Sequence, residues 1–228
     1  MKRITQNLQC LYKQIDGAEQ KYGRKPGSVT LLAVSKTHPA EYISIAAESG
    51  QRHFGESYLQ EALRKIRELD DPRLIWHFVG PIQSNKTRGI AENFTWVHSV
   101  DRIKIAKRLN ELRPAALPPL NVCIQINISG EATKSGIVPE QLAAMAAQVN
   151  ALPRLRLRGL MAMPEETGDF TAQRRVFHSM RESLEELQGA GFDLDTLSLG
   201  TTHDMEAAIA EGATIVRIGT AIFGPREK

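Results

Sequence analysis

Val29-Thr-Leu-Leu-Ala-Val-Ser-Lys-Thr-His38 decides the fold. Its first six residues are apolar or β-branched and follow the breaker Gly23-Arg-Lys-Pro-Gly-Ser28. The run is too short for a typical helix and right for a fully buried strand. It runs into Ser35-Lys36-Thr37-His38 and not into G-x-G-x-x-G, so the glycine fingerprint of an open dinucleotide-binding sheet is missing where it would have to stand.

Upstream, Ile4, Leu8, Leu11, Ile15, Ala18 and Tyr22 recur at steps of three and four and predict an amphipathic N-terminal helix. Downstream, strand-like runs recur at 52–55, 74–79, 96–100, 120–128, 155–162, 196–199 and 214–218. Amphipathic segments stand between them near 39–49, 57–69, 101–113, 139–150, 170–189 and 204–211. Eight strands alternating with helices in 228 residues, against roughly 250 for the type, predict an α/β fold of one kind: a (β/α)8 TIM barrel with an extra N-terminal helix. The whole chain, 1–228, is read as a single domain.

Composition narrows the function. Hydrophobic residues make up 42% and charged residues 24%, with a net charge of +3 spread along the chain. No basic stripe suggests nucleic acid, and no apolar run approaches the roughly 20 residues that span a bilayer. The start, Met1-Lys-Arg-Ile-Thr-Gln-Asn7, enters a polar helical pattern without an apolar leader, so a cytoplasmic address is expected. Cys10 and Cys123, the two cysteines, are both read as buried thiols. His53-Phe-Gly-Glu56 has half the look of a zinc site without a second half, so no metal is expected. His77 and His98 are read as satisfied core histidines.

In such barrels chemistry sits at the C-terminal ends of the strands. Lys36 follows the first strand. A partly desolvated ammonium there has a lowered pKa and can form a Schiff base with an aldehyde; a lysine snorkelling on the rim is the alternative. After the seventh strand, Gly200 allows close backbone approach, and Thr201, Thr202 and Asp204 can cap the next helix. After the eighth come Gly219 and Thr220. Loops seven and eight of this fold recurrently hold phosphate, although capping and turn chemistry would account for either alone. Arg217 interrupts an apolar strand and needs a partner: the nitrogen of a pyridine ring lying between Lys36 and the phosphate loops, or a carboxylate. Met161 and Met163 can fill the barrel core, line a cofactor, or both.

At these residues the chain resembles the pyridoxal phosphate homeostasis (YggS/PROSC) family, which has the fold of the alanine racemase N-terminal domain. The resemblance covers nearly the whole length. It is carried by Leu31-Leu-Ala-Val-Ser-Lys-Thr37, Trp76-His-Phe-Val-Gly-Pro-Ile-Gln-Ser-Asn-Lys86, Gln125-Ile-Asn-Ile128, Lys134-Ser-Gly136, Arg158-Gly-Leu-Met161 and Val216-Arg-Ile-Gly-Thr-Ala-Ile-Phe-Gly224. It implies that Lys36 holds pyridoxal 5'-phosphate (PLP) as a Schiff base, that Arg217 faces the pyridine nitrogen, and that Thr202, Gly219 and Thr220 hold the phosphate. Ser57 stands where the family has an asparagine near the cofactor. Thr201-Thr202-His203 replaces a Met-Ser-x run; Thr202 keeps the hydroxyl and adds a methyl, while His203 is expected to face solvent.

The resemblance implies a PLP carrier or reservoir that supplies apo-enzymes and turns over no substrate. An amino-acid racemase is the alternative, and it needs a second base. All four tyrosines lie at or before Tyr58, which makes Tyr58 the remote candidate. A phosphosugar enzyme would offer paired carboxylates or a lysine and carboxylate at adjacent strand ends, and no convincing pair is read. Lys134 is expected on the same barrel face as Lys36, as a solvated loop lysine or a transient acceptor of the aldehyde. No heptad pattern demands a partner, so a monomer is expected.

Overall fold

The computed structural model describes residues 2–128 and 135–225. Eight parallel strands pair in sequence order and close, with β8 returning to β1. They are β1 (Thr30–Val34), β2 (His53–Glu56), β3 (Ile75–Phe78), β4 (Trp96–Val100), β5 (Leu120–Ile126), β6 (Leu155–Ala162), β7 (Thr196–Ser198) and β8 (Ile215–Ile218). The helices are α1 (Lys2–Lys21), α2 (Ala40–Glu48), α3 (Leu59–Leu69), α4 (Thr87–Asn93), α5 (Ile103–Leu112), α6 (Leu142–Asn150), α7 (Phe170–Gly189), α8 (Met205–Ala210) and α9 (Thr220–Phe223). This is the expected (β/α)8 barrel, with α1 in front of β1.

Two helices escape the sequence pattern. The α4 segment, Thr-Arg-Gly-Ile-Ala-Glu-Asn, is seven residues long, contains Gly89, and buries only Thr87, Ile90 and Ala91. The single turn of α9 is too short for any periodicity to show. Strand β2 ends one residue later than predicted, on a carboxylate, because Glu56 is buried against Lys65. Strand β5 ends at Ile126 instead of Ile128.

Helix α1 buries Ile4, Leu8, Leu11, Ile15 and Ala18 and packs against α2, α8 and α9. Cys10 lies off that face and is exposed, which corrects its reading as a buried thiol; Cys123, inside β5, is buried.

A closed barrel directs alternate side chains inward and outward along every strand. Outward residues join the helices in the main apolar cluster. Leu32, Cys123, Met161 and Ile215 are buried but stand apart from that cluster, inside the barrel with His77, His98, Ser198 and Arg217. Counting two further along the strands gives Val34, Ser57, Val79, Met163 and Gly219, which open onto the C-terminal mouth. The period-2 pattern thus separates a packed interior layer from the layer that lines the cleft.

Candidate functional site

The cleft at that mouth has a volume of about 380 Å³, within the usual range for small-molecule sites. Its lining includes Lys36 from the end of β1, Ser57 after β2, Met163 after β6, Thr201 and Thr202 after β7, and Arg217, Gly219 and Thr220 from β8 onward.

Lys36 is half-buried in a turn whose next residue, Thr37, has φ = 68°. That region is costly for a β-branched side chain, so neighbouring groups must impose it. Thr37 N–H donates to Glu61 Oε1 at 2.7 Å, and its hydroxyl donates to the Lys36 carbonyl at 2.5 Å. Beneath the turn, the buried Lys65 ammonium donates to the Ser35 carbonyl (2.8 Å), Glu56 Oε1 (2.7 Å) and Glu61 Oε1 (2.5 Å). The Ser35 hydroxyl also donates to Glu56 Oε1. Burial lifts the Glu56 carboxyl above its usual range, against the pull of Lys65 and Ser35. One ammonium on α3 thereby ties together both sides of the turn that presents Lys36.

Arg217 is 6% exposed, and among the described residues its side-chain hydrogen bonds go to no carboxylate. Nη1 donates to the Ser198 carbonyl and, at 2.8 Å, to the Ser198 hydroxyl; Nη2 donates to the Ala162 carbonyl at 2.9 Å. Burial lowers its pKa to about 10 while Asp204 opposes the shift, so the guanidinium stays charged at neutral pH. The carboxylate partner weighed from sequence is replaced by backbone carbonyls and a serine.

The loop after β7 turns at Gly200, whose φ is 88° and where an added Cβ would meet the Ala208 Cβ at 2.7 Å. Its carbonyl accepts from Arg217 N–H. Thr201 lines the cleft, yet both its N–H and its hydroxyl donate to Asp204 Oδ1, at 2.5 and 2.8 Å. Asp204 therefore braces the loop and makes no side-chain cap on α8. Thr202 and His203 are exposed on the same loop and line the cleft.

Met161 lies one layer down, fully buried and outside the cleft lining; Met163, two residues on, takes the lining position and is 52% exposed. His38, Val34, Val79 and Glu166 also line the cleft and were not singled out from sequence. His38, Val34 and Val79 sit at strand ends and were findable by counting in twos, whereas Glu166, in the loop before α7, carried no signal. His38 is buried against Tyr42 and Phe223. Tyr58 is not among the residues that line the cleft and is 53% exposed. Lys134 lies outside the described residues.

His53 and Glu56 do not pair as metal ligands: His53 contacts His77, and Glu56 is held by Ser35 and Lys65. Among the described residues, no three histidine, cysteine, aspartate or glutamate side chains converge as a metal site. No described helix is long and apolar enough to cross a membrane.

The residues present suit a phosphorylated pyridine aldehyde. A lysine amine and a donor-only guanidinium open on one cleft, and hydroxyl and glycine backbone positions on adjacent strand ends stand beside them. At Gly219 an added Cβ would stand 3.1 Å from the Val34 carbonyl oxygen, a tight contact where β8 meets β1.

Comparison with known proteins identifies the family. The family model for the alanine racemase N-terminal domain matches residues 6–227. The pyridoxal phosphate homeostasis protein of Pseudomonas aeruginosa is 59% identical over 227 residues, covering 100% of this chain and 97% of that one. That of Escherichia coli K12 is 54% identical over 230 residues, covering 100% and 98%. Among solved structures, PipY of Synechococcus elongatus with PLP bound superposes with a TM-score of 0.86 at 38% identity, covering 97% of this chain and 100% of PipY. Alanine racemase from Corynebacterium glutamicum shares the fold, with a TM-score of 0.72 at 17% identity over 61% of its length. By its full-length identity to these relatives, the chain belongs to the pyridoxal phosphate homeostasis proteins of the alanine racemase N-terminal-domain family.

Proposed function

We propose that this protein binds PLP in the cleft and serves as an intracellular carrier or reservoir that supplies apo-enzymes, without turning over a substrate. The observation that carries the reading is the pairing, in one cleft, of Lys36 on an imposed turn with a buried Arg217 whose side-chain hydrogen bonds, among the described residues, go to backbone carbonyls and a serine hydroxyl. Lys36 is the covalent anchor. Arg217 faces the pyridine nitrogen, and Thr202, Gly219 and Thr220 hold the phosphate. Ser57 and Met163 flank the ring, and Thr201 shapes the phosphate loop through Asp204. The same residues form one PLP-binding domain over 1–228, acting as a cytoplasmic monomer.

When bound, PLP supplies an aldehyde carbon and a ring that withdraws electrons strongly only if its nitrogen is protonated. Arg217 has donors alone, so it favours an unprotonated ring nitrogen. A ring held in that state is a weaker electron sink. Tyr58, the remote candidate for a racemase's second base, is absent from the cleft lining, which supports the carrier reading over the racemase.

Purified protein incubated with PLP and desalted should keep a visible absorbance band, and borohydride should bleach that band while fixing the cofactor to Lys36. Lys36→Ala should lose it, and neither L- nor D-alanine should be converted by the loaded protein. An unretained cofactor would sink the PLP reading; steady racemisation would sink the carrier reading.

A further inference from the structure

Three histidines in the barrel interior, read singly from sequence, form a continuous line. His53 Nδ1 lies 2.9 Å from His77 Nε2, His77 Nδ1 lies 2.9 Å from His98 Nε2, and His98 Nδ1 lies 2.7 Å from Ser198 Oγ. Ser198 Oγ in turn accepts from Arg217 Nη1. The line starts at the first residue of β2, where His53 is partly exposed, crosses β3 and β4, and ends beneath the cleft. His77, His98 and Ser198 are all fully buried. His77 is fixed further by stacking on Trp96, 5.5 Å between centroids and 8° between planes, while Arg158 covers the Trp96 ring at 4.6 Å.

The direction of donation is fixed from the arginine end. A guanidinium has no acceptor, so Ser198 Oγ receives from Arg217. The serine's own proton then needs an acceptor, because an unmatched buried hydroxyl is costly, and its other contact is His98 Nδ1. His98 must therefore carry its proton on Nε2 and give it to His77 Nδ1. His77 in turn gives its Nε2 proton to His53 Nδ1, leaving the His53 Nε2–H at the far end. In the opposite direction the Ser198 proton would be stranded.

We propose that His53, His77 and His98 form a single-tautomer, one-directional hydrogen-bonded column through the barrel interior that orients the Ser198 hydroxyl and so holds Arg217 in place beneath the cleft. They are positioning residues. The column itself stands on the interior geometry alone, whereas its effect on the cofactor rests on the reading of Arg217 given above. Burial supports the assignment: it pushes His98 down to about 3, with the Arg217 charge adding to the effect, puts His77 well below the usual imidazole range, and lowers His53 as well.

The first test needs no cofactor. Long-range ¹H–¹⁵N spectra of the full chain labelled on histidine nitrogen should show His53, His77 and His98 as Nε2-protonated neutral rings from about pH 6 to 8. An Nδ1-protonated His77 or His98, or a doubly protonated one in that range, would overturn the column. The second test loads the protein with PLP and verifies loading by borohydride fixation. The ¹⁵N shifts of His98 and His77 should move on loading and stay still in Ser198→Ala, whose affinity should fall about 2- to 10-fold, the worth of one hydrogen bond. Unmoved shifts in loaded wild-type protein, or equal movement in Ser198→Ala, would remove the coupling to Arg217. If PLP is not retained at all, the proposed function fails, and the tautomer spectra still decide for or against the column.

Discussion

Lys65 shows how a single residue on the outer helix layer can govern the site. It is 1% exposed, and its ammonium is shared by two carboxylates and the Ser35 carbonyl. A buried pair of this kind adds little stability over an apolar replacement of both partners, but removing one partner strands the other. Lys65→Met leaves Glu56, which is fully buried, with only the Ser35 hydroxyl. We expect a loss of about 3–5 kcal/mol in urea unfolding, together with weaker PLP retention, because the grip on Ser35 and Glu61 that shapes the Lys36 turn is gone. The double variant Glu56→Gln/Lys65→Met should recover part of the stability, since no bare carboxylate remains. A near-neutral Lys65→Met would mean that the ammonium does not hold the turn. Nothing in the local sequence marks Lys65 as buried: it lies in a helix crowded with charged residues, and only the meeting of α3 with the ends of β1 and β2 gives it partners.

At the scale of elements, the strand ends do most of the positioning, and glycines set how closely their loops approach. Gly80, just after β3, lies so close to the loop after β2 that an added Cβ would stand 2.3 Å from the Ser57 carbonyl oxygen and 2.7 Å from its Cα. The Gly80 carbonyl also accepts from the buried Ser99 hydroxyl at 2.5 Å, which ties the loop after β3 to the end of β4. Gly80→Ala must push backbone against backbone. We expect it to cost about 1–3 kcal/mol and to weaken PLP binding by displacing Ser57, whereas Ser57→Ala should leave stability nearly unchanged. Denaturation midpoints and PLP titrations of both variants check this. These loops also show what was legible in advance. Lys36, Ser57, Thr201, Thr202, Arg217, Gly219 and Thr220 all line the cleft because each follows or ends a strand that its apolar pattern had already located. Met161 lies a layer too deep because the pattern locates a strand without saying which inward residue reaches the mouth; the step of two places Met163 there. The short α4 and α9 lacked the length for a period to register.

For the whole molecule, barrel closure matters most, since it joins residues that no local pattern can relate. The contacts of the interior column span 24, 21 and 100 residues of sequence, and His77 and His98 looked from sequence like two unconnected core histidines. Their burial as neutral rings makes the stability of the entire fold depend on pH. An unfolded histidine titrates near 6.5, whereas His98 is pushed down to about 3 and His77 well below its usual range, chiefly by burial. Between about pH 6.5 and 3 the unfolded chain therefore binds protons that the native barrel refuses. The stability contributed by keeping these rings neutral is fully present above about pH 6.5 and drains away as the pH falls. By pH 5 the loss amounts to about 2 kcal/mol for His98, and His77 adds a loss in the same direction. The carboxylates that their partners hold below the usual range, Glu211 among Arg174, His178 and Arg181, and Asp195 beside Arg158, add their own losses mainly at still lower pH. Unfolding free energies from urea titrations should therefore be lower at pH 5 than at pH 7.5 in wild-type protein, with about 2 kcal/mol of the drop coming from His98. His98→Gln, less stable at pH 7.5 through the broken column, should lose that His98 share of the drop. An undiminished pH dependence in His98→Gln would mean that the His98 ring does not stay neutral inside the folded barrel.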